Sequence, residues 1–146
     1  MPTFDNILQR RKIMASFLDT TDHTSEFEAE DIAQNRAMGI LAYIGLLVLV
    51  PIFAAKGSKW ARWHANRGLI LLILAVAIGV ASAILALLGL IPYVGIVFRI
   101  LQWIVNVVAY LGLTGLMVFG IVTAAMGKAK DFPLIGGLIA KIQILK

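Results

Sequence analysis

The sequence has no cysteine and very little charge, and each shortage argues against a class of protein. Without cysteine, neither a disulfide framework nor a thiolate metal site can form. Charged residues make up 14% of the 146 residues, compared with about 25% in a typical soluble protein. Apolar residues make up 60%, more than a small domain can bury. The composition therefore predicts an integral membrane protein and not a soluble enzyme, a secreted disulfide scaffold or a disordered chain.

Two further ligand classes are also disfavoured by the residue counts. The two histidines, His23 and His64, lie far apart in sequence, which is too few for a zinc site. The net charge of +5 would suggest nucleic acid in a soluble chain. Here the lysines and arginines gather between and after apolar runs, which is typical of topology signals in a membrane protein. We expect no cofactor, no metal and no nucleic-acid partner.

Three apolar stretches are long enough to be membrane spans. The first, residues 37–55, carries no charge and would form about 28 Å of helix. The second covers residues 68–91 and ends before Pro92, and the third covers residues 104–126. Arg99 would cost about 2.5–3.5 kcal/mol at the bilayer centre, so residues 93–103 are expected to form an interfacial helix or a helical extension. The predicted fold class is all-α, with three transmembrane helices plus interfacial amphipathic segments.

The spans divide the chain into a tail and a membrane domain. Residues 1–24 form an N-terminal tail, and residues 25–146 form the membrane domain with an interfacial C-terminal tail at 127–146. The first nineteen residues could be a frayed tail, or an amphipathic helix lying on a membrane or a partner protein. The apolar residues near one face of that helix are Phe4, Ile7, Leu8, Met14, Ala15 and Leu18.

The basic residues predict an orientation in the membrane. With three spans, the loop at residues 56–68 and the C-terminal tail lie on the same side. The loop has no acidic residue and four basic ones, Lys56, Lys59, Arg62 and Arg67. Cytoplasmic loops carry an excess of lysine and arginine. We therefore expect a protein of the cytoplasmic (inner) membrane with the N-terminus out and the C-terminus in.

The same loop is predicted to be an interface anchor. Its tryptophans suit the aromatic belt, its cations suit anionic headgroups, and Asn66 is placed to N-cap the second span. His64 has no nucleophile or carboxylate partner nearby in sequence, so no catalytic residue is assigned and the protein is not expected to be an enzyme. The anchor residues are Trp60, Arg62, Trp63, His64, Asn66, Arg67 and Gly68.

Two patterns inside the predicted spans point to helix packing. Small residues share one face of the second span, where helix backbones can approach closely: Ala75, Gly79, Ser82, Ala83 and Ala86. Their partner is another span of the same chain, a second copy or another protein. In the third span Asn106, Tyr110 and Thr114 form a polar stripe, which either bonds to another span or lines a solute pathway. No Asp, Glu, Lys, Arg or His lies inside a predicted span, which argues against ion-coupled transport.

The loop sequence WARWHANRGLILLI resembles the F-A-R-F-H-A-N-Q-G motif of a widespread bacterial family of small membrane proteins of unknown function. Two flanking stretches, LAYIGLLVLVPIFAAKGSKWAR and GKAKDFPLIG, agree in the same order, so that the resemblance covers about residues 31–146. Arg67 stands where the family has glutamine. The family is remotely similar to the Tic-twenty component of chloroplast protein import, which is usually drawn with four spans.

Two functions follow as hypotheses. The small-residue face and the absence of charge in the spans favour a non-enzymatic accessory or scaffolding subunit of a membrane complex, acting by helix packing. Its partners would be other membrane protein subunits or further copies of itself, in a bilayer with anionic headgroups. The remote similarity implies the alternative, a homo-oligomeric pore or protein-translocation component.

Overall fold

All regular structure in the described part of the chain is helical, as predicted. The computed structural model describes residues 3–18, 20–139 and 141–145, with the side chains of 14–18 left aside. Within these ranges the α-helices are α1 (Phe4–Leu18), α2 (Ala29–Leu41), α3 (Leu49–Ala54), α4 (Lys59–Leu88), α5 (Gly95–Ala125) and α6 (Gly136–Ile139). Two short 3-10 turns cover Thr24–Glu26 and Gly45–Val48.

The two longest helices, α4 and α5, form an antiparallel hairpin. They contain 30 and 31 residues, or about 45 Å each. Both are long and apolar enough to cross a membrane. Only 6% and 17% of their most apolar windows are buried inside the chain, unlike the core helix of a soluble domain. These two helices agree with the membrane protein predicted from composition.

Helix α4 begins nine residues earlier than the predicted span. The Ser58 hydroxyl accepts a hydrogen bond from the Ala61 backbone N–H at 2.9 Å, which caps the helix at Lys59. The residues from Lys59 to Gly68 contain no proline and continue directly into the apolar run. The expected N-cap at Asn66 is therefore wrong, and most of the predicted loop is helix.

The connection between α4 and α5 is a tight turn. A Cβ atom on Gly95 would overlap the backbone of Gly89, so the turn needs a glycine there. The Arg99 side chain turns back along α5 and its Nε donates to the Gly89 carbonyl at 3.1 Å. Residues 95–103 are continuous with the rest of α5, so the helical extension is the alternative that the structure contains.

The first predicted span, residues 37–55, is not one continuous helix. Helix α2 ends at Leu41, Gly45 has a φ of +50°, and a 3-10 turn leads into the six-residue α3. The positive φ at Gly45 departs from helical geometry and lets the chain change direction. Two long apolar helices are thus present in the described part of the chain, where the sequence predicted three spans.

The segment from α2 to α3 runs along the first turns of α4 and then returns to the end of the hairpin from which it started. At the start of α4, Asp31 accepts a hydrogen bond from the Trp60 N–H. Further along α4, a Cβ placed on Gly68 would lie 2.6 Å from the Ala42 carbonyl carbon. Ala55, after α3, returns to line a cavity with Asp31. Residues 29–55 therefore form a re-entrant segment packed on the first turns of α4 and the last turns of α5. We call this end of the hairpin the polar end.

The N-terminal and C-terminal segments meet at the polar end. Asp22 and Lys130 form an isolated antiparallel bridge. The His23 N–H donates to the Ala129 carbonyl at 2.7 Å, and the Asp131 N–H donates to the Thr21 carbonyl at 3.1 Å. Residues 21–24 and 129–131 are thus in direct contact.

The N-terminal tail contains helix α1, as the amphipathic alternative predicted. Phe4, Ile7 and Leu8 are 74%, 42% and 40% exposed. The side chains of Met14, Ala15 and Leu18, also assigned to the apolar face, lie outside the described residues. Every residue of 3–13 is exposed, polar ones included, so a helix lying on a membrane or on a partner stays a prediction.

Candidate functional site

In the first turns of α4, several of the predicted anchor residues are buried inside the protein. Trp60, His64 and Arg67 follow at spacings of four and three, which places them on one helix face. They are 0%, 0% and 5% exposed, whereas Arg62 and Trp63 on the neighbouring face are half-buried. Trp60 therefore packs inside the chain and not in an interfacial aromatic belt, because the helix begins before it.

A buried ion pair joins α4 to the C-terminal tail. The Arg67 Nη2 donates to Asp131 Oδ1, and the two side chains are 7% and 9% exposed. The Arg67 guanidinium also lies over the Trp63 ring, with 3.3 Å from Cζ to the ring centroid. A buried charge is strongly unfavourable unless it is paired. The tail must therefore fold back on α4 to bring Asp131 to Arg67.

The second oxygen of Asp131 extends the ion pair to the N-terminal segment. His23 Nε2 lies 2.9 Å from Asp131 Oδ2, and His23 Nδ1 lies 2.7 Å from Glu26 Oε1. The hydrogen bond with Glu26, followed by that with Asp131, raises the pKa of His23 above its ordinary value, against a partial loss of hydration. Protonated His23 donates from both nitrogens and bridges the two carboxylates.

A second buried pair joins α4 to the break after α2. The Tyr43 hydroxyl and His64 Nδ1 are 2.8 Å apart, and both side chains are buried. Trp60 and Trp63 pack edge-on against the His64 ring, with centroids 4.5 Å and 4.7 Å away. His64 Nε2 has no hydrogen-bond partner among the described residues. Tyr43, the residue that His64 engages, lies two residues after the end of α2.

Asn66 binds the end of the tail in place of capping a helix. Its Oδ1 accepts from the Ile144 N–H at 2.8 Å and from the Leu145 N–H at 3.3 Å. Its Nδ2 donates to the Ile142 carbonyl at 3.2 Å. Asn66 lies inside α4 and not at its start, so it has no free helix N–H groups to cap. The donor and acceptor of its side-chain amide are therefore available to the irregular tail.

These contacts together form a polar clamp, made of His23, Glu26, Tyr43, His64, Arg67 and Asp131. The clamp holds four segments at the polar end: the N-terminal segment, the re-entrant break, the first turns of α4 and the tail. In the described part of the chain, no three His, Asp or Glu side chains are arranged to hold a metal ion. The arrangement suits bracing of the fold.

Sequence reasoning missed Tyr43, Asp131 and His23 as members of this cluster. Tyr43 and Asp131 lie 21 residues before His64 and 64 residues after Arg67, so no local spacing links them. The one available signal was the resemblance, because its three matching stretches contain Tyr43, His64 and Asp131 respectively.

The small-residue face and the polar stripe are only partly covered by the hairpin. Ser82 donates to Asn106 across the two helices, which accounts for one residue of each pattern. Tyr110 is 66% exposed and Thr114 is also exposed. The four remaining small residues of α4, all exposed, are Ala75, Gly79, Ala83 and Ala86.

Two of these exposed residues, Ala75 and Thr114, line one cavity. A cavity of about 140 Å³ is lined by Ala75 of α4, Thr114 of α5 and Gly45 of the re-entrant turn, among others. Gly79 and Ala83 continue from Ala75 at spacings of four, and Tyr110 precedes Thr114 by four, so both rows follow the hairpin away from that cavity. We call this surface the hairpin groove. Nothing among the described residues lies within 4 Å of a Cβ placed on Gly79.

We expect Asp131→Asn to lower the free energy of unfolding by about 3–5 kcal/mol, because it leaves the Arg67 charge buried without a counter-charge. The double variant Arg67→Gln/Asp131→Asn should be more stable than Asp131→Asn alone. Glu30→Gln, at an exposed carboxylate on α2, is the control and should change stability little. Chemical unfolding in detergent, followed by circular dichroism, measures all three. An Asp131→Asn protein as stable as wild type would contradict the assignment.

The raised pKa of His23 predicts a pH dependence. A group whose pKa is higher in the folded chain stabilises the fold fully below its unfolded pKa, about 6.5, and the stabilisation is lost as pH rises through the folded value. Between pH 5.5 and pH 8.5 the wild-type melting temperature should therefore fall relative to that of His23→Gln. Equal pH profiles for the two proteins would show that His23 does not bridge the carboxylates.

No known protein family, curated protein or solved structure matches this chain in comparison. The resemblance to the bacterial family and to the chloroplast import component therefore stays a prediction based on the three sequence stretches.

Proposed function

We propose that this chain is a non-enzymatic, multi-pass membrane protein that serves as an accessory or scaffolding subunit of a membrane complex. It acts by packing the hairpin groove against a transmembrane helix of another subunit or of a second copy. The observation that carries the proposal is the exposure of the small residues of α4 on one side of the hairpin.

Small residues have a clear use at helix contacts in lipid. Lipid tails are as apolar as leucine, so helices associate through close backbone approach and hydrogen bonds and gain nothing from hiding apolar surface. The hairpin itself uses Ser82 and Asn106 in this way. Gly79 and Ala83 offer the same close approach and are exposed, with no further helix against them in the ranges that the structure describes. Thr114 and Tyr110, on the opposite wall of the groove, bring hydroxyl groups that a neighbouring helix can bond.

The polar clamp supports a bracing role for the rest of the chain. The carboxylate of Asp131 and the guanidinium of Arg67 satisfy each other, and Tyr43 engages His64. These groups are buried, and each is engaged by another group of the same chain. The clamp keeps the polar end in one arrangement and so presents the hairpin groove in a fixed geometry.

We also propose that the hairpin crosses the membrane twice, with both polar segments on the cytoplasmic side. Residues 21–24 contact residues 129–131, and segments in contact cannot lie on opposite sides of a bilayer. This replaces the N-out, C-in orientation, which required three crossings. The turn end of the hairpin carries Arg99 alone, whereas the polar end carries most of the cations near the spans: Lys56, Lys59, Arg62, Lys128 and Lys130.

Topology reporters test the number of crossings. A reporter attached before residue 3 and a reporter attached after residue 145 should both be active on the cytoplasmic side of the inner membrane. A cysteine introduced at Tyr93, which is fully exposed in the turn, should react with a membrane-impermeant reagent added from outside. Opposite sides for the two ends would restore the three-span arrangement.

The groove is tested by a steric block and a matched control. Gly79→Leu fills the groove, and Gly115→Leu adds the same side chain to α5 at a glycine that is equally free of neighbours. Helical periodicity puts Gly115 on the outer side of α5, away from the groove. Both variants should fold. We expect Gly79→Leu to reduce association by about tenfold, a loss of about 1.4 kcal/mol, and Gly115→Leu to leave it unchanged.

Crosslinking of single cysteines in native membranes measures that association. The chain has no native cysteine, so Ala83→Cys reports on the groove and Ile84→Cys, 54% exposed on the next face, is its control. Crosslinks from position 83 and not from position 84 support the proposal, and equal yields contradict it. Labelling of Tyr110→Cys and Thr114→Cys by a membrane-impermeant reagent would instead favour the pore or translocation component.

A further inference from the structure

A second cavity lies at the polar end, next to the one that Asp31 lines, with Glu26, Phe27 and Lys59 shared between them. Its volume is about 390 Å³, within the range of small-molecule sites. Its walls come from α4, the N-terminal segment around His23 and the tail around Gln143. The cavity therefore exists only because the polar clamp and Asn66 hold the tail against α4.

One face of α4 supplies positive charge to this cavity. Lys59, Arg62 and Arg67 all line it, and spacings of three and five residues bring them to adjoining sides of the helix. Arg67 is paired with Asp131, and the acidic lining residue Glu26 is engaged by His23. Lys59 and Arg62 make no salt bridge among the described residues. The cavity wall thus keeps two uncompensated cations.

One residue of the cavity wall, Arg67, carries a buried donor without a partner within the described ranges. The Nε of Arg67 has no hydrogen-bond partner in the part of the chain that the structure describes, and the side chain is 7% exposed. A buried donor without a partner is costly and calls for an acceptor. Arginine binds phosphate oxygens with its planar set of N–H donors.

The position of the cavity in the membrane indicates which phosphate it meets. The apolar part of α4 begins after Gly68 and runs without charge to Leu88, about 30 Å of helix, which matches the hydrocarbon thickness of a bilayer. Arg67 therefore lies at headgroup level. Trp63, a residue type that favours the interface, forms part of the cavity wall.

We propose that this cavity binds the phosphate of an anionic phospholipid headgroup, held by Lys59, Arg62 and Arg67 of its wall. This goes beyond helix packing and does not depend on the hairpin groove. Its consequence is a specific lipid bound at the polar end, in contact with the N-terminal segment, α4 and the tail.

The test is lipid binding by the purified full chain, measured by native mass spectrometry. Wild-type protein should bind phosphatidylglycerol more tightly than phosphatidylcholine. Lys59→Gln/Arg62→Gln should lower the affinity for phosphatidylglycerol by about 30-fold, from the typical contribution of two cations near an anionic surface. The control Lys56→Gln/Lys128→Gln removes the same charge at two exposed lysines outside the cavity and should bind like wild type.

Equal affinity of the cavity variant and wild type, or an equal loss in the control, would overturn the proposal. Gln143→Glu places a negative charge on the exposed tail wall without removing a contact, so it should weaken binding even where the double variant fails to fold. Millimolar inorganic phosphate added as competitor separates the sources of phosphate. Displacement of the lipid would assign the cavity to a soluble phosphate, and retention supports the headgroup.

Discussion

The burial of one positive charge, on Arg67, determines how the polar end of this protein is built. A buried guanidinium inside α4, just before the apolar part of that helix, can stay unpaired only at great cost. Asp131 meets it from the C-terminal tail, and its second oxygen then meets His23 of the N-terminal segment. Segments that are more than 100 residues apart in sequence are joined by a single carboxylate. The re-entrant segment is held beside them by Tyr43 and His64.

The polar end and the hairpin are therefore stabilised by different kinds of interaction. At the polar end, hydrogen bonds and ion pairs compete with water, so they must be enclosed to be worth much. Along the hairpin, the contacts are close packing of small residues and one polar pair, Ser82 with Asn106. The ion pair and the Tyr43–His64 contact of the polar end form within one chain, whereas the hairpin groove leaves small residues uncovered. This contrast is the physical argument for the proposed function, in which an internally braced chain packs against a neighbouring helix.

The proposed lipid site connects the two parts. The tail that closes the ion pair also completes the cavity in which Lys59 and Arg62 stand uncompensated. A headgroup bound there would contact the same segments that the polar clamp joins. Membrane composition would then act on the polar end directly, while the hairpin groove would respond to protein partners.

Composition and apolar run length alone predicted long apolar helices of the kind that can cross a membrane, since a small core cannot hide so many apolar residues, and the described part of the chain contains two of them. The small-residue and polar patterns of α4 and α5 were also legible, because they follow helical periodicity within one element. Other features depend on tertiary structure, and helical periodicity does not predict them. An uncharged stretch such as 37–55 satisfies a span by length, yet Gly45 and the Tyr43–His64 contact turn it back. The positive loop became helix once Ser58 capped it. The charge of Arg67 faced inward because Asp131, 64 residues away, was there to receive it.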